Sequence, residues 1–316
     1  MKNTVVSKLL PIDSSPSAYS FNENYVLNLS VDSEIYDEFL HAGLEEEKIA
    51  LSPLRDLKTQ CPITFQLGEC ARKQVFEKLG AIYISNAGEF FTDGKDIRNF
   101  YLFIARIIGA IDPLYGALYD VKSKKPDDQR IAKVTISQTS GFAPMHTDGS
   151  WLANPPDAIG LLCLSPAMKG GENELIHTHQ IREVLKNHSV EIFDILQRPF
   201  YRESASPGFE VSVADVEAAQ LPVMEDRNGF CHIQYMRRWI EEGHVKVGKP
   251  LSDNQIAALD YLDQLLGDQN LIQEVPMKKF DMIFTNNHTI LHTRKPFEDA
   301  TDETQKRHMV RVWIKR

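Results

Sequence analysis

Cysteine is scarce in this sequence. The chain of 316 residues has four cysteines, and no two of them stand at the CxxC spacing that zinc ribbons use. The four are Cys61, Cys70, Cys163 and Cys231. Their scatter gives no support to a disulfide framework or a zinc ribbon, so we expect four reduced thiols in a cytoplasmic protein.

Long hydrophobic runs are also missing. No segment approaches the roughly 18 consecutive apolar residues that a membrane span needs. The opening MKNTVVSKLLPIDSSPSAYS contains no apolar stretch long enough for an export signal. These two absences argue against a membrane protein and against a secreted one.

The chain has little positive charge relative to its acids. It contains 44 acidic and 35 basic residues, which gives a net charge of -9. A negative surface is not attracted to nucleic acid or to an anionic membrane, so we expect neither as a partner. The expected partner is a small molecule, and the sequence leaves open whether the protein forms a homo-oligomer.

The first third of the sequence has the pattern of helices. Apolar residues recur at helical intervals in three segments, 33–47, 68–80 and 96–111. A short run of β-forming residues, Ala81–Ser85, separates the last two segments. We therefore predict a mostly helical N-terminal flank over residues 1–80.

From Lys133 onward, short runs rich in Val, Ile, Leu and Phe alternate with turn-forming residues. We predict a strand for each run: 133–137, 158–165, 173–178, 209–213, 221–225, 230–235, 280–285 and 308–314. This number of short strands is typical of a double-sheet jelly roll.

One segment interrupts the strand pattern with helical periodicity. Residues 252–266 begin with a capping-box pair, Ser252 and Gln255, and place their apolar residues on one face. We read this segment as a helical insert before the last two strands. The prediction is thus one α+β domain over 1–316, whose core over 81–316 is a double-stranded β-helix, or jelly roll.

The first candidate metal site is the segment His146-Thr147-Asp148. An acidic residue two places after a histidine is expected more than once by chance in this composition, so the pair is weak evidence alone. On an extended segment, however, both side chains lie on one face and can share an ion. Two histidines with one carboxylate suit Fe(II) that activates O2, so a distant histidine is required.

The segment FTNNHTILHTRKPF offers two histidines for that role. His292 follows an apolar pair and is expected to start a turn, whereas His288 is expected in the preceding loop. The spacing favours His292 and leaves His288 open.

Two arginines near the C-terminus favour an anionic ligand. On an extended strand, Arg307 and Arg311 share one face with Met309 and Trp313. Val310 and Val312 point the other way. Arginines that face the interior of a β-barrel need an anion, and a dicarboxylate fits their paired hydrogen bonds. The alternative is a terminal strand whose arginines face solvent.

Taken in order, HTD, LHTRKPF and RHMVR resemble the taurine dioxygenase and clavaminate synthase-like superfamily of Fe(II)/2-oxoglutarate enzymes. His292 lies 146 residues after His146, and Arg307 lies 15 residues after His292, which fits the family spacing. The family pattern Asn-x-x-x-x-His assigns the distal ligand to His292. The segment KGGENEL is similar to the family's Gly-Gly-acid-Thr segment, with Asn173 in the position of the threonine.

The resemblance implies a cofactor set and a role for each matched residue. His146, Asp148 and His292 would bind Fe(II), and Arg307 would hold the distal carboxylate of 2-oxoglutarate with help from Asn173. O2 would be the second co-substrate, and succinate and CO2 would be released. Arg311 is expected to contact either 2-oxoglutarate or the substrate, and Trp151 either lines the substrate site or packs in the core.

The resemblance also implies a reaction class. An unactivated C–H bond of a small amino-acid-derived or natural-product substrate would be oxidised, first of all by hydroxylation. Desaturation, cyclisation and epoxidation at the same iron are alternatives within the family. Related halogenases lack the carboxylate ligand, so Asp148 argues against halogenation.

Two other classes remain as alternatives. One is a zinc hydrolase or a cupin-type metalloenzyme that does not use 2-oxoglutarate, although no HExxH motif supports it. The other is a ligand-binding jelly roll without activity, although such a protein has no reason to retain all four of His146, Asp148, His292 and Arg307.

Overall fold

The structure is a computed structural model that describes residues 25–122, 141, 143–203, 211–227 and 229–316, apart from the side chain of residue 188. The predicted strand at 133–137, the first two residues of the one predicted at 209–213 and the opening segment discussed above lie outside the described residues. No helix in the described ranges is long and apolar enough to cross a membrane.

Ten α-helices are present in the described residues. They are α1 (Ser33–Ala42), α2 (Glu46–Leu51), α3 (Leu54–Gln60), α4 (Pro62–Glu77), α5 (Gly94–Ile108), α6 (Thr178–His188), α7 (Val190–Leu196), α8 (Val213–Ala218), α9 (Arg237–Lys246) and α10 (Asp253–Leu266).

Sixteen strands, several of only two residues, are present in the same ranges. They are β1 (Val26–Ser30), β2 (Ala81–Ser85), β3 (Ala110–Ile111), β4 (Tyr119–Lys122), β5 (Ala158–Ser165), β6 (Lys169–Gly170), β7 (Asn173–His177), β8 (Pro199–Phe200), β9 (Leu221–Pro222), β10 (Met224–Arg227), β11 (Phe230–Ile233), β12 (Gln273–Val275), β13 (Met282–Asn286), β14 (Ile290–Arg294), β15 (Phe297–Glu298) and β16 (His308–Lys315).

The larger sheet has seven strands. Its order is β1-β2-β13-β5-β16, and β3 and β4 both pair with the free edge of β16. All neighbours are antiparallel except β1 and β2. One face packs on α4 and α5, and Val310, Val312 and Phe284 belong to that core. Because side chains alternate along a strand, the residues between them face the second sheet.

The smaller sheet has the antiparallel order β12-β7-β14. Its inward residues Leu175 and Ile290 form a core with Ala81 and Ile283 of the larger sheet. Its outward residue Leu291 belongs to a second core with helices α6, α7 and α10. The described chain therefore has helices outside two facing sheets, and the space between the sheets is where the candidate site lies.

The N-terminal helices begin and end at residues that differ from the predicted ones. The predicted helix at 33–47 is two helices, because Gly43 ends α1 in the left-handed conformation with φ of 55° and its N–H bonds to the Leu40 carbonyl. The helix predicted at 68–80 begins earlier, with Pro62 in its first turn, where a missing N–H is harmless. The strand β1, which precedes these helices, was missed.

The predicted strand at 209–213 is wrong in its described part. The Ser212 hydroxyl accepts from the Asp215 backbone N–H, and the Asp215 carboxylate accepts from the Ser212 backbone N–H. This capping box starts α8 at Val213, because it satisfies the first free backbone groups of a helix. Local capping chemistry outweighed the β preference of the valines.

A helical insert was correctly predicted, but the predicted insert was too short. Ser252 and Gln255 do form the predicted capping box of α10. However, helices α6 to α10 all lie between β7 and β12, and five strands follow α10 in place of the expected two. The strand β14 was missed because ILHTR was taken for a turn. Its residues alternate between the two cores, with Ile290 inward and Leu291 outward.

Candidate metal centre

Three side chains predicted as ligands meet between the two sheets. His146 lies in a segment that pairs with β14 as an isolated bridge, and the His146 N–H and the His292 N–H donate to each other's carbonyls at 3.0 and 2.9 Å. Their imidazole centroids are 4.5 Å apart. One potential ligand atom from each of His146, Asp148 and His292 lies within 4.8 Å of the others.

The orientation of these side chains fits a metal ion. Nε2 of His146 is 3.5 Å from Oδ1 of Asp148, and Nε2 of His292 is 3.7 Å from the same oxygen. Nδ1 of His146 lies 2.8 Å from the Pro144 carbonyl, which fixes the proton on Nδ1 and leaves Nε2 to bind a metal. Two imidazoles and a carboxylate on one face are a donor set that suits Fe(II).

The protonation of the cluster also fits. Burial lowers the pKa of His292, and the nearby His146 lowers it further, which favours the neutral imidazole that binds metals. Burial alone would raise the pKa of Asp148. The charge of Arg311 and hydrogen bonds with His146 and His292 outweigh burial and hold that pKa well below its usual range. Nδ1 of His292 is buried without a hydrogen-bond partner among the described residues.

The outer oxygen of Asp148 has two donors from β16. Nη1 of Arg311 donates to Oδ2 at 3.0 Å, and Nε1 of Trp313 donates to the same oxygen at 2.8 Å. Arg311 was predicted to face inward and does so. Its partner in the described residues is Asp148, one of the three predicted metal ligands. The expected contact of Arg311 with 2-oxoglutarate or the substrate stays a prediction. Trp313 was placed on the same face and given no role.

Asn287 holds the backbone of Asp148 and was missed as a site residue. Its Oδ1 accepts from the Asp148 N–H at 2.9 Å, and its Nδ2 donates to the Asp148 carbonyl at 2.9 Å. The side chain is 2% exposed and links the turn before β14 to the metal loop. This asparagine is the first residue of the Asn-x-x-x-x-His pattern, so the pattern has a physical reason in this chain.

Arg202 holds the loop after Asp148 in place. No pattern in the sequence predicted this role. Its guanidinium donates to four carbonyls, including that of Ser150 at 2.8 Å and that of Gln234 at 2.5 Å. Burial lowers the pKa of Arg202 to about 9. The Gln234 amide also donates to the Ser150 and Leu152 carbonyls, so these two side chains hold the loop in place.

Arg307 lines a pocket of about 210 Å³ together with Asn173, Gly170, Gly171 and Met309. The arginine is 6% exposed, and its guanidinium has no hydrogen-bond or ion-pair partner within the described part of the chain. Burial, followed by the charge of Arg294, lowers the pKa of Arg307 to about 10. A buried guanidinium without an ion pair is costly, so an anion bound in this pocket would stabilise Arg307.

Gly171 lies against Arg307 in this pocket. Gly171 has a φ of 78°, and a Cβ there would lie 3.3 Å from Nε of Arg307 and 3.2 Å from Cβ of Phe297. The absence of a side chain lets the backbone approach the arginine closely.

Two other residues discussed in the sequence analysis, His288 and Trp151, lie outside the metal cluster. His288 is outside the cluster, where its Nε2 lies 2.8 Å from Oδ1 of Asp157 and its ring stacks on His232. His292 lies within β14 and does not start a turn. Trp151 is partly buried and makes an edge contact with Trp239 at 5.9 Å between centroids.

A family model matches most of this chain. The model described as taurine catabolism dioxygenase TauD, TfdA family covers residues 64–313. Among curated proteins, the chain is similar to FR-33289 synthase of Streptomyces rubellomurinus, with 24% identity over 56% of this chain and 50% of that protein. The chain spans about half the length of the curated relatives it matches.

Solved structures share the fold. A structure of asparagine oxygenase in complex with Fe(II), 3-hydroxyasparagine and succinate has a TM-score of 0.65 and 15% identity, and the match covers 92% of this chain and 93% of that one. A structure of the non-heme iron oxygenase OrfP with Fe and α-ketoglutaric acid has a TM-score of 0.65 and 14% identity, covering 92% and 94%.

Proposed function

The chain belongs to the TauD/TfdA family of dioxygenases, and on that premise we propose that it is a non-haem Fe(II) and 2-oxoglutarate-dependent oxygenase. It would oxidise an unactivated C–H bond of a small amino-acid-derived substrate, with hydroxylation as the outcome and succinate and CO2 as co-products. The observation that carries the proposal is the meeting of His146, Asp148 and His292 between the two sheets.

We propose that these three residues hold the metal. Fe(II) with positions left open by a facial set of three protein ligands supplies O2 activation when it is bound. The protein's own part is to present two imidazoles and one ionised carboxylate from fixed backbones. Asn287 and the paired backbones of His146 and His292 provide that rigidity.

We propose that Arg307 receives the distal carboxylate of 2-oxoglutarate. This proposal is supported by the Arg307 guanidinium, which is buried in the pocket without a hydrogen bond or ion pair among the described residues. Asn173 lines the same pocket. An arginine can donate two parallel hydrogen bonds to a carboxylate, and an amide can donate one more. The pocket and the metal cluster both lie on the inner side of β16, since Met309 between the two arginines also lines the pocket.

The fold proposal follows the same relatives. We propose that the two facing sheets form a double-stranded β-helix, and that the chain over 1–316 is a single domain. The similarity to asparagine oxygenase over 92% of this chain supports a shared architecture. The helices of the first third and the insert between β7 and β12 would pack outside this core.

The substrate proposal is an amino acid or a close derivative. Two structures with this fold are complexes with a hydroxylated amino acid, 3-hydroxyasparagine in one and a hydroxylated arginine in the other. We propose that Trp151, which follows Asp148 closely in the chain, lines the substrate site. The substrate screen below is designed to identify the exact substrate.

The test is a substrate screen with succinate as the readout. Purified protein is incubated with Fe(II), 2-oxoglutarate, O2 and each free L-amino acid in turn, and succinate is measured above the substrate-free rate. We expect at least one amino-acid-derived compound to stimulate succinate release and to gain one oxygen atom by mass spectrometry. Loss of two hydrogens would indicate desaturation or cyclisation.

The screen has two controls. The Asp148→Ala variant should release no substrate-dependent succinate, and omission of 2-oxoglutarate should abolish product. Turnover without 2-oxoglutarate would contradict the proposal and favour a cupin-type metalloenzyme.

A further inference from the structure

The two oxygens of Asp148 have different neighbours. Oδ1 faces Nε2 of His146 and Nε2 of His292 at 3.5 and 3.7 Å. Oδ2 accepts from Nη1 of Arg311 and from Nε1 of Trp313 at 3.0 and 2.8 Å. A carboxylate oxygen has two lone-pair directions, so these two donors satisfy Oδ2. The carboxylate is 6% exposed, which leaves little solvent to compete with them.

Arg311 and Trp313 are themselves held in place. The Arg311 guanidinium lies 5.7 Å from the ring centre of Tyr115, 5.2 Å from that of Tyr119 and 5.4 Å from that of Trp313. Tyr115 also meets the Trp313 ring edge-on at 4.8 Å. Three rings around one cation restrict its movement and stabilise its charge. The pair of donors is therefore a fixed support for Asp148.

The consequence concerns how many oxygens of Asp148 can reach a metal ion. The Asn287 side chain accepts from the Asp148 N–H and donates to the Asp148 carbonyl, which holds the backbone of Asp148 in place. The donors on β16 fix the rotation of its carboxylate. If Oδ2 lost its donors, the carboxylate could rotate and bind with both oxygens. The second oxygen would then occupy a position that must stay open in this class of site.

We propose that Trp313, acting with Arg311, is a positioning residue that keeps Asp148 a one-oxygen ligand. This inference rests on the proposed metal site. It also assigns Arg311 to the support of Asp148, a role that the sequence pattern did not suggest. Outer partners of this kind commonly change metal affinity by about 10- to 100-fold when they are lost.

The test uses Co(II) as the probe, because it is stable in air and binds such sites more tightly than Fe(II). Co(II) is titrated into the metal-free wild type, Trp313→Phe and Arg311→Gln, and the dissociation constant and visible absorption are recorded. We expect Trp313→Phe to raise the dissociation constant about 10-fold and to change the shape and intensity of the Co(II) bands, which report coordination number. Arg311→Gln should change the bands in the same direction.

The control is Trp239→Phe, which changes an indole that contacts Trp151 and is not among the hydrogen-bond donors to the Asp148 carboxylate in the described residues. It should leave both the affinity and the bands as in the wild type. The thermal midpoint of each metal-free variant shows whether the fold persists, and a variant that unfolds is replaced by the other one. Unchanged bands in a folded Trp313→Phe protein, with or without a change in affinity, would overturn the inference. Failure of the wild type to bind Co(II) would instead overturn the proposed function.

Discussion

Arg307 and Arg311 are four residues apart, face the same side and are both shielded from solvent, yet their surroundings differ. Arg311 has an ion-pair partner in Asp148 at 3.0 Å and lies among three aromatic rings. Arg307 has one aromatic neighbour, Phe297, and its guanidinium makes no ion pair or hydrogen bond among the described residues, although the charge of Asp299 raises its pKa. The strand thus presents one completed charge pair and one incomplete pair.

The difference indicates separate duties at the two ends of the site. A complete buried ion pair holds a neighbouring group in position, whereas a buried guanidinium without an ion pair is stabilised when an anion binds to it. We therefore infer a metal end, around Asp148, and a co-substrate end, around Arg307. Each prediction below affects one end and should leave the other unchanged.

The largest effect is expected at the metal end. His292→Ala removes a ligand, and Co(II) affinity should fall by more than about 100-fold, beyond what loss of an outer partner costs. His288→Ala is the matched control, because His288 pairs with Asp157 outside the cluster. Calorimetric titration measures both variants. Metal loss with His288→Ala and retention with His292→Ala would show that the wrong histidine had been chosen.

The next effect is expected at the co-substrate end. Arg307→Met removes the charge and keeps most of the side-chain volume. Hydrogen bonds to charged groups contribute about 1.5–3 kcal/mol, so 2-oxoglutarate should bind about 10- to 150-fold more weakly to the Co(II)-loaded variant. Co(II) affinity should be unchanged.

Pyruvate provides the internal control for Arg307, because it has the same keto-acid end and lacks the distal carboxylate. Wild type should prefer 2-oxoglutarate over pyruvate strongly, and Arg307→Met should bind the two alike. An equal loss of affinity for both ligands would mean that Arg307 supports the fold of the pocket and does not contact the distal carboxylate.

A smaller effect is expected for the neutral donor at the same end. Asn173→Ala removes one neutral hydrogen bond, which contributes about 0.5–1.5 kcal/mol, so 2-oxoglutarate affinity should fall about 2- to 10-fold. Asn173→Thr, which restores a donor, should stay close to wild type. Competition binding on the Co(II)-loaded protein measures both. If Asn173→Ala binds 2-oxoglutarate as tightly as the wild type does, Asn173 does not contribute to the co-substrate site.

The smallest effects come from a matched pair of glycines. Gly149 has a φ of 64° beside the metal end, and Gly171 has a φ of 78° beside the co-substrate end. Alanine in this backbone region costs about 1–2 kcal/mol, so both variants should melt earlier by similar amounts. Gly149→Ala should weaken Co(II) binding a few-fold, and Gly171→Ala should weaken 2-oxoglutarate binding a few-fold. Ligand effects that do not separate between the two variants would contradict the division into two ends.

The sequence was informative where local pattern decides structure. Alternation along β16 predicted which residues face inward, and the strands at Ala81–Ser85 and Ala158–Ser165 have the predicted bounds. The capping box of α10 was predicted from two residues. The family resemblance, drawn from three short motifs, is confirmed by the family model.

The residues that hold Asp148 and its loop in place could not be predicted in the same way. The bonds from Asn287 and Trp313 to Asp148 join residues 139 and 165 positions apart, and local pattern does not encode such distances. Arg202 resembled any other arginine in the sequence, because its partners are backbone carbonyls of distant segments. Trp313 had a partial signal, since its position on the inward face was predicted without its hydrogen bond.

The central claim is that the His146, Asp148 and His292 cluster and Arg307 together form one iron and 2-oxoglutarate site. The most direct measurement is an anaerobic titration of the wild-type protein with Fe(II) and then 2-oxoglutarate, followed by visible absorption. The account predicts a saturable charge-transfer band that needs both ligands and is missing in His292→Ala. Stoichiometric Fe(II) binding without such a band in the wild type would contradict it.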